Sequence, residues 1–382
     1  KAFVFYEGPP SSNGLPGIHH VMARTIKDVF CRYKTLKGFL VNRKAGWDTH
    51  GLPVELGVEK ELGITKEDIG KSISVEEYNE ACKKAVMRYT DVWNELTHKM
   101  GYWVDTQDPY ITYENKYIES VWWLLKQAFD KKLIYKGYTI QPYSPVAGTG
   151  LSSHELNQPG CYKNVKDTSV TAQFLIKKDS NSFFGGGENV FLLAWTTTPW
   201  TLPSNTALAV NKSVVYVAVE TFNLYTNEMV VVVVAKELLS SVFSAPYVDV
   251  SDLSDDKKQV PYKVVQEFKG SELIGLRYKQ LLPIANPAEN AENAFQVIHG
   301  DFVSTEDGTG IVHIAPTFGA DDAKVAKDSN VPPMLVKDKD GELVPLVNLK
   351  GAFIEGLGDL SGKFVKNSFY GDEDSNRKSV DV

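Results

Sequence analysis

The stretch that decides the fold class is FVFYEGPPSSNGLPGIHH, residues 3–20. Its first four residues have the length and apolar character of a strand, and its middle is a turn rich in glycine and proline. From Ile18 apolar residues recur at helical spacing as far as Leu36, while charged residues such as Arg24 fall on the other face. We therefore predict a strand over Phe3–Tyr6 followed by a helix, an order that is typical of an open α/β sheet.

Helical patterns separated by short apolar runs continue through the first part of the chain. Ser74 and Glu77 have the spacing of a capping box, which predicts a helix that runs on through Leu96. A further helix is expected near Tyr117–Lys132. We assign residues 1–165 to one α/β domain.

The pattern changes near residue 166, where strand-like runs bounded by turn residues replace the helical periods. These apolar runs lie at Ser169–Lys177, Val190–Trp195, Ala207–Val210, Val214–Glu220, Met229–Ala235 and Ile311–Ala315. We therefore expect a β-rich domain over residues 166–365. A polar tail is expected over residues 366–382.

Composition narrows the classes of function. The chain has 382 residues, 43% of them hydrophobic, and a net charge of −7. The acidic balance argues against a basic nucleic-acid clamp, although a local basic patch could still dock RNA. No apolar run approaches the roughly 18 residues of a membrane span, so we expect no membrane partner.

The cysteines and the ends of the chain carry further information. Cys31, Cys82 and Cys161 are spaced too widely for a disulfide framework or a clustered metal site, so we expect a reducing compartment and a cytoplasmic protein. The chain opens in an apolar strand without a signal peptide, and it closes in GDEDSNRK, residues 371–378, which ends no recognisable domain. We expect a fragment of a longer protein.

Two segments of the first domain carry candidate binding residues. The three glycines of the turn allow a ligand to approach the backbone, and the helix start presents N–H groups together with His19 and His20 to an anion. The alternative is a solvated loop with an exposed histidine pair. The second segment is GWDTHGLPVE, residues 46–55, where Asp48 is either an anchor for an ammonium group or a helix-capping or turn residue.

Two further segments lie in the β-rich part. The first is WTTTPWTLPSN, residues 195–205, and its stiff β-branched threonines favour a solvent-facing edge strand. The second is EDGTGIVHIAP, residues 306–316, which continues to Asp321 and Asp322. Taken alone, it is interpreted as a hairpin with a core histidine, His313, and a helix-capping aspartate.

Together these segments resemble the class I aminoacyl-tRNA synthetases of the branched-aliphatic subgroup. The turn and helix start resemble that family's ATP signature, commonly His-Ile-Gly-His, and residues 46–55 are most similar to its isoleucyl members. The strings YIESVWW, residues 117–123, and GTGLSSHE, residues 148–155, extend the resemblance over nearly the whole chain. Both segments of the β-rich part resemble the editing domain inserted into isoleucyl, valyl and leucyl synthetases.

The resemblance implies a Rossmann-like nucleotide-binding domain, with residues 1–165 as its first half and the β-rich editing domain inserted after it. It implies activation of L-isoleucine by ATP and Mg²⁺, transfer to tRNA(Ile), and hydrolysis of valyl-tRNA(Ile). The implied partners are therefore ATP, L-isoleucine and tRNA(Ile), and we expect a monomer. Because the family's lysine-rich second ATP signature is absent from these residues, we expect this chain alone to be competent only for editing.

The resemblance also assigns site residues. For activation it assigns Gly8, Pro9 and Asp48 to the amino acid and Asn13, Gly17, His19 and His20 to ATP, with His19, His20 and Asp48 as the catalytic residues. For editing it assigns Thr196, Thr197 and Thr198 to the pocket wall, His313 to the pocket shape, and Asp322 in preference to Asp321 to the ammonium group of the mischarged amino acid.

Two departures from the family pattern change these expectations. By position Gly17 replaces the first signature histidine and His20 matches the second, so we expect His19 to take over the missing phosphate contact. Where many relatives bind zinc through Cys-x-x-Cys, this chain has Ser144 and Ala147, and we expect no metal there. The alternatives that stay open are a valyl enzyme and a freestanding aminoacyl-tRNA deacylase.

Overall fold

A computed structural model divides the chain into two compact units, Lys1–Gly137 and Tyr138–Val382. The structure describes residues 1–5, 7–137, 139–164, 167–184, 189–251, 253 and 259–366. Residue 6, where the first expected strand would end, and all of the expected tail beyond residue 366 lie outside the described residues. The division between the units falls before the expected domain boundary near residue 165.

The first unit, unit 1, is built from helices around a short pair of parallel strands. Its elements are α1 (Ile18–Leu36), β1 (Lys44–Trp47), α2 (Leu52–Leu62), α3 (Val75–Val86), α4 (Thr90–Met100), β2 (Asp105–Ile111) and α5 (Asn115–Asp130). β1 pairs in parallel with β2. The strand expected over Phe3–Tyr6 is wrong in extent, because Ala2 forms only an isolated parallel bridge with Leu40 and no described strand continues the ladder.

Helix α1 turns its charged face, which includes the buried Arg24, toward the rest of unit 1 and exposes its apolar face, the reverse of what an amphipathic pattern usually means. The Arg24 guanidinium lies 5.5 Å from the ring of Trp93 and 5.2 Å from that of Tyr102, and it donates a hydrogen bond of 2.8 Å to the hydroxyl of Thr97. These contacts offset part of the cost of burying the guanidinium group. Phe30, on the other face, is 61% exposed.

The single helix expected from Ser74 through Leu96 is wrong, because the chain is interrupted between α3 and α4. The hydroxyl of Ser12 donates to the carbonyl of Val86 over 2.6 Å, and the amide of Tyr89 donates to the carbonyl of Ser12 over 3.1 Å. The glycine-proline turn thus takes the hydrogen bonds that a continuous helix would have made. The capping box of Ser74 and Glu77 is confirmed.

The second unit, unit 2, is rich in strands. Its elements are β3 (Tyr143–Ser144), β4 (Thr149–Gly150), α6 (Ser153–Leu156), β5 (Val170–Leu175), β6 (Val190–Thr196), β7 (Ala207–Val210), β8 (Val215–Phe222), β9 (Met229–Ala235), α7 (Leu239–Val242), β10 (Tyr247–Asp249), β11 (Val260–Lys269), α8 (Gly270–Leu273), β12 (Gln296–His299), β13 (Val312–Ile314), α9 (Ala320–Asp328), β14 (Leu335–Lys337) and β15 (Leu343–Pro345). All six of the expected strand runs contain a strand.

Two sheets of unit 2 position its candidate site. Among the described residues the larger sheet has the order β10-β11-β8-β9-β6-β5, and the smaller has the order β12-β7-β13. The interpretation of the threonine-rich segment as an edge strand is wrong, because β6 ends at Thr196 and the segment continues into a 3₁₀ helix, Pro199–Ser204. A buried core that includes Phe174, Leu192, Leu208 and Tyr278 lies against these strands. None of the helices among the described residues has the length and apolar character needed to cross a membrane.

Candidate functional sites

In unit 1 the glycine-proline turn is held against helix α4. The indole N–H of Trp93 donates to the carbonyl of Gly14 over 2.9 Å, and the Trp93 ring meets the His20 ring edge-on, with 4.8 Å between centroids. The hydroxyl of Ser11 donates to the side-chain oxygen of Asn13 over 3.1 Å. Trp93 thus supports both the turn, at Gly14, and the start of α1, at His20.

The His20 side chain caps the N-terminus of α1. Its Nδ1 accepts a hydrogen bond of 3.0 Å from the backbone N–H of Gly17, so the proton of the neutral ring is on Nε2. Burial, with smaller contributions from His19 and Arg24, lowers the pKa of His20. His19 is exposed, and its ring centroid lies 3.8 Å from that of His20. The structure therefore brings both histidines to the N-terminus of α1.

A polar cluster beneath the turn was not found from the sequence. The Glu7 side chain is 5% exposed, and its two oxygens bind the Lys27 ammonium and the Tyr102 hydroxyl. The hydroxyl of Tyr110 donates to the Glu7 carbonyl over 3.0 Å, and burial raises the pKa of Tyr110 to about 12. A Cβ at Gly46 would lie 2.2 Å from this ring, so only glycine fits there. In the sequence, the feature that could have indicated this cluster is Glu7, the acidic residue directly before the turn.

Asp48 lies at the carboxyl end of β1, next to the glycine-proline turn. Its backbone N–H donates to the carbonyl of Pro10 over 3.0 Å, which brings it beside the turn that contains Gly8 and Pro9. One carboxylate oxygen accepts a hydrogen bond of 3.3 Å from the N–H of His50, as a turn aspartate does. Trp47 is buried directly before it. The anchor and turn interpretations of Asp48 are thus compatible.

In unit 2 the three threonines end strand β6 and begin a 3₁₀ helix, Pro199–Ser204. The Thr196 hydroxyl is buried and accepts a hydrogen bond of 3.1 Å from the backbone N–H of Thr198. Thr197 and Thr198 are exposed. Two of the three threonines therefore offer side chains to a ligand, while the first fixes the turn.

His313 lies in β13, is 7% exposed, and has partners on both ring nitrogens. Its Nε2 lies 2.8 Å from the hydroxyl of Thr201, and its Nδ1 lies 3.1 Å from the amide nitrogen of Asn205. The Thr201 hydroxyl donates to the Thr198 carbonyl over 2.8 Å. Burial lowers the pKa of His313 to about 4. The structure thus joins His313 to the threonine-rich turn through residues that the sequence assignment missed, although both stand inside the quoted segment.

Asp322 lies in the first turn of α9 and folds back toward β13. Its carboxylate accepts a hydrogen bond of 2.8 Å from the N–H of Ala315, two residues after His313. Burial is the main cause that raises its pKa, and the charge of Asp321 adds to it. Asp321 itself is exposed. The two aspartates therefore differ sharply in environment.

The sequence matches known proteins over its whole length. Residues 1–269 match the family described as tRNA synthetases class I (I, L, M and V). The chain belongs to this family. Class I synthetases similar to it include the isoleucine--tRNA ligase of Bacteroides fragilis (strain YCH46), which is 59% identical over 100% of this chain and 35% of its own length. The isoleucine--tRNA ligase of Cytophaga hutchinsonii is 60% identical over 99% of this chain and 34% of its own. This class I chain thus spans about a third of the length of the curated relatives that it matches.

Solved structures give a weaker likeness. The editing domain of the cytosolic leucyl-tRNA synthetase of P. knowlesi aligns with 44% of this chain and 64% of that chain, with 16% sequence identity and a TM-score of 0.33.

The position at which many relatives have a zinc motif is a tight hairpin between β3 and β4 in this class I chain. The hydroxyl of Ser144 accepts a hydrogen bond of 3.2 Å from the backbone N–H of Ala147. Neither side chain offers a thiolate, the ligand that a zinc site of this type requires. Within the part of the chain that the structure describes, no group of three or more His, Cys, Asp or Glu residues could hold a metal ion.

Proposed function

We propose that this chain is the part of an isoleucine--tRNA ligase that contains the first half of a Rossmann-like activation domain and an inserted editing domain. The observation that carries the proposal is 58–61% identity to five isoleucine--tRNA ligases over at least 96% of this chain. A valyl enzyme is not favoured by these relatives. A freestanding deacylase would leave the arrangement of Pro10, Asp48 and His20 in unit 1 without a purpose.

Activation of the amino acid is assigned to unit 1. The isoleucine carboxylate attacks the α-phosphorus of ATP, and the bond to pyrophosphate breaks, which gives isoleucyl-adenylate. The Asp48 carboxylate holds the substrate ammonium group, and Gly8 and Pro9 leave room for its backbone. The bond between the Asp48 N–H and the Pro10 carbonyl supports this assignment, because it fixes the distance between anchor and turn.

The start of α1 is assigned to the phosphates of ATP. Because the Gly17 N–H occupies Nδ1 of His20, its Nε2–H is the donor that remains for a phosphate oxygen. His19, exposed beside it, supplies the second donor, and Asn13 and Gly17 line the approach. These groups stabilise charge that develops during transfer. Mg²⁺ is proposed to arrive with ATP, bound to its phosphates.

Hydrolysis of valyl-tRNA(Ile) is assigned to unit 2. Thr197 and Thr198 are proposed to form the pocket wall, with Thr196 holding the turn behind them. Asp322 is proposed to bind the ammonium group of the esterified valine, since an anion is needed there. The hydrogen bonds that join His313 to the threonine-rich turn support a rigid pocket.

Two sites suit an enzyme that must separate isoleucine from valine. One methylene is worth only about 1–3 kcal/mol in a hydrophobic pocket, a magnitude established with this very kind of enzyme. Because each tenfold ratio requires about 1.4 kcal/mol, one pocket falls short of the roughly 10⁴-fold discrimination that translation needs. A second pocket that admits valine and excludes isoleucine supplies the difference.

Hydrolysis of valyl-tRNA(Ile) and isoleucyl-tRNA(Ile) by this 382-residue chain tests the proposal. We expect rapid loss of the valyl ester while the isoleucyl ester is spared, and no efficient pyrophosphate exchange by the chain alone. Cleavage of both esters would contradict the proposed specificity. Pyrophosphate exchange in the full-length enzyme with valine preferred over isoleucine would identify a valyl enzyme instead.

A further inference from the structure

A chain of buried hydrogen bonds runs behind the threonine-rich turn of unit 2. Tyr278 is fully buried, and its hydroxyl donates to the side-chain oxygen of Asn205 over 2.7 Å. The amide nitrogen of Asn205, itself 2% exposed, lies 2.8 Å from the Ala207 carbonyl and 3.1 Å from Nδ1 of His313. This chain of hydrogen bonds then continues from His313 to Thr201 and on to the carbonyl of Thr198.

Each bond in this chain has a fixed direction. A carbonyl oxygen only accepts, so the Ala207 carbonyl requires the NH₂ group of Asn205 to face it, which leaves the second amide proton for His313. Nδ1 of His313 is therefore an acceptor, and the proton of the neutral ring is on Nε2, where it is donated to Thr201. The hydroxyl proton of Thr201 goes to the Thr198 carbonyl. Both ring nitrogens of His313 are thus engaged by protein groups.

The Tyr278 hydroxyl completes this arrangement at its buried end. Without it, the Asn205 oxygen would lie buried with no hydrogen-bond donor, and the Ala207 carbonyl alone would oppose rotation of the amide. Rotation of the amide would present its oxygen to Nδ1 of His313 and so favour the other tautomer. The Thr201 hydroxyl would then have to donate to Nε2, and it could no longer donate to Thr198.

We propose that Tyr278 is a positioning residue for hydrolysis of the mischarged ester: together with the Ala207 carbonyl it holds the amide of Asn205, and through this amide it fixes the tautomer of His313 and the turn at Thr198. This role rests on the proposed editing function of unit 2. It also means that His313 positions the turn and does not act as the general base.

The test compares four substitutions. Tyr278→Phe removes only the hydroxyl. Tyr216→Phe is the matched control, since Tyr216 is equally buried and its hydroxyl donates to the Gly310 carbonyl over 2.7 Å, outside this chain of bonds. Thr201→Val removes the acceptor of the His313 proton at nearly constant volume, and Thr201→Ser restores a hydroxyl. Each is made in the full-length enzyme for kinetics and in the 382-residue chain for spectroscopy.

Steady-state hydrolysis of valyl-tRNA(Ile) and ¹⁵N spectra of histidine-labelled protein are the two measurements. We expect Tyr278→Phe and Thr201→Val to lower the kcat of hydrolysis about tenfold, with KM for the ester within about twofold and isoleucine activation unchanged. Thr201→Ser and Tyr216→Phe should keep the wild-type kcat. The His313 nitrogens should report one tautomer, protonated at Nε2, in the wild type and a mixture in Tyr278→Phe.

Several results would overturn the proposal. A wild-type kcat in Tyr278→Phe or in Thr201→Val would do so, as would an equal loss in Tyr216→Phe, which would indicate general destabilisation. A wild-type His313 protonated at Nδ1 would refute the assigned directions. Absence of hydrolysis in the wild-type enzyme would overturn the editing function itself, and the nitrogen spectra would still decide the tautomer of His313.

Discussion

The backbone N–H of Asp48 donates to the carbonyl of Pro10 over 3.0 Å and ties the end of β1 to the glycine-proline turn. The bond uses only backbone atoms, so a change of the Asp48 side chain leaves it in place. Its carboxylate is also held locally, by the N–H of His50. The charge at this position can therefore be tested separately from the local structure.

Asp48→Asn in the full-length enzyme should raise the KM for isoleucine about 10- to 100-fold. The amide oxygen can still accept from His50, but the negative charge proposed to hold the ammonium is lost, and such charged contacts are worth about 1.5–3 kcal/mol. Pyrophosphate exchange measures the effect. Asp108→Asn, which removes a carboxylate paired with Lys44 on the surface of unit 1, is the control and should change nothing. An unchanged KM in Asp48→Asn would reject the anchor role.

His19→Ala should lower the rate of isoleucyl-adenylate formation about tenfold, because it removes one of the two donors proposed for the phosphates. Since His19 is exposed and His20 provides the cap to Gly17, we expect the unfolding temperature to stay constant. Pre-steady-state activation at several ATP concentrations measures the rate. His98→Ala, at an exposed histidine in α4, serves for comparison. A wild-type rate in His19→Ala would show that His19 does not replace the missing signature histidine.

Asp322→Asn should abolish most hydrolysis of valyl-tRNA(Ile), whereas Asp321→Asn should leave it intact. The asparagine oxygen can still accept from the N–H of Ala315, so the fold of this corner is preserved while the charge is lost. Deacylation of purified valyl-tRNA(Ile) by the full-length variants measures the loss. The opposite ranking of the two variants would transfer the anchor role to Asp321.

Unit 2 should lose stability as the pH falls from about 6.5 toward 4, because of His313. Burial keeps this histidine neutral in the folded protein down to a pKa of about 4, while in the unfolded chain it takes up a proton near 6.5. Over this range the unfolded state binds more protons than the folded state, so the population of unfolded protein grows. The total loss in the free energy of unfolding is about 3 kcal/mol.

Urea unfolding of the wild type and of His313→Gln at pH 7 and pH 4 isolates this contribution. The raised pKa of Asp322 acts with the opposite sign, since its folded carboxyl takes up a proton first as the pH falls. It is present in both proteins and cancels in the comparison. His98→Gln should keep the wild-type dependence on pH. Equal dependence in His313→Gln would mean that His313 does not remain neutral in the folded state.

Local sequence pattern was enough to predict six strands of unit 2, but it missed β11 and β12 of the two main sheets. Tertiary contacts explain the failures in unit 1. Ala207–Val210 and Met229–Ala235 are strands with the expected bounds, because runs of valine and alanine between turns suit a buried strand. The face of α1 that is buried was not predictable, because it depends on Arg24 finding two aromatic rings far along the chain. The break before α4 depends likewise on Ser12.

Some residues of the candidate sites could likewise be recognised from the sequence, and others could not. Asp48, His20 and the threonines are recognisable because they stand in contiguous strings that resemble a family. Tyr278 stands in no such string, and a buried tyrosine has no signal in a single sequence that distinguishes it from a core residue. Its partner Asn205 is 73 residues away, so only the folded chain reveals their bond.

The order of strands in the smaller sheet of unit 2 has a consequence for synthesis on the ribosome. β7 is made first, and both of its neighbours, β12 and β13, emerge only much later. Thr201 and His313 stand 112 residues apart, so the proposed hydrolytic pocket closes late in translation of this unit. Until then both edges of β7 lack their strand partners, and an unpaired strand edge is a place where a nascent chain can pair with another chain.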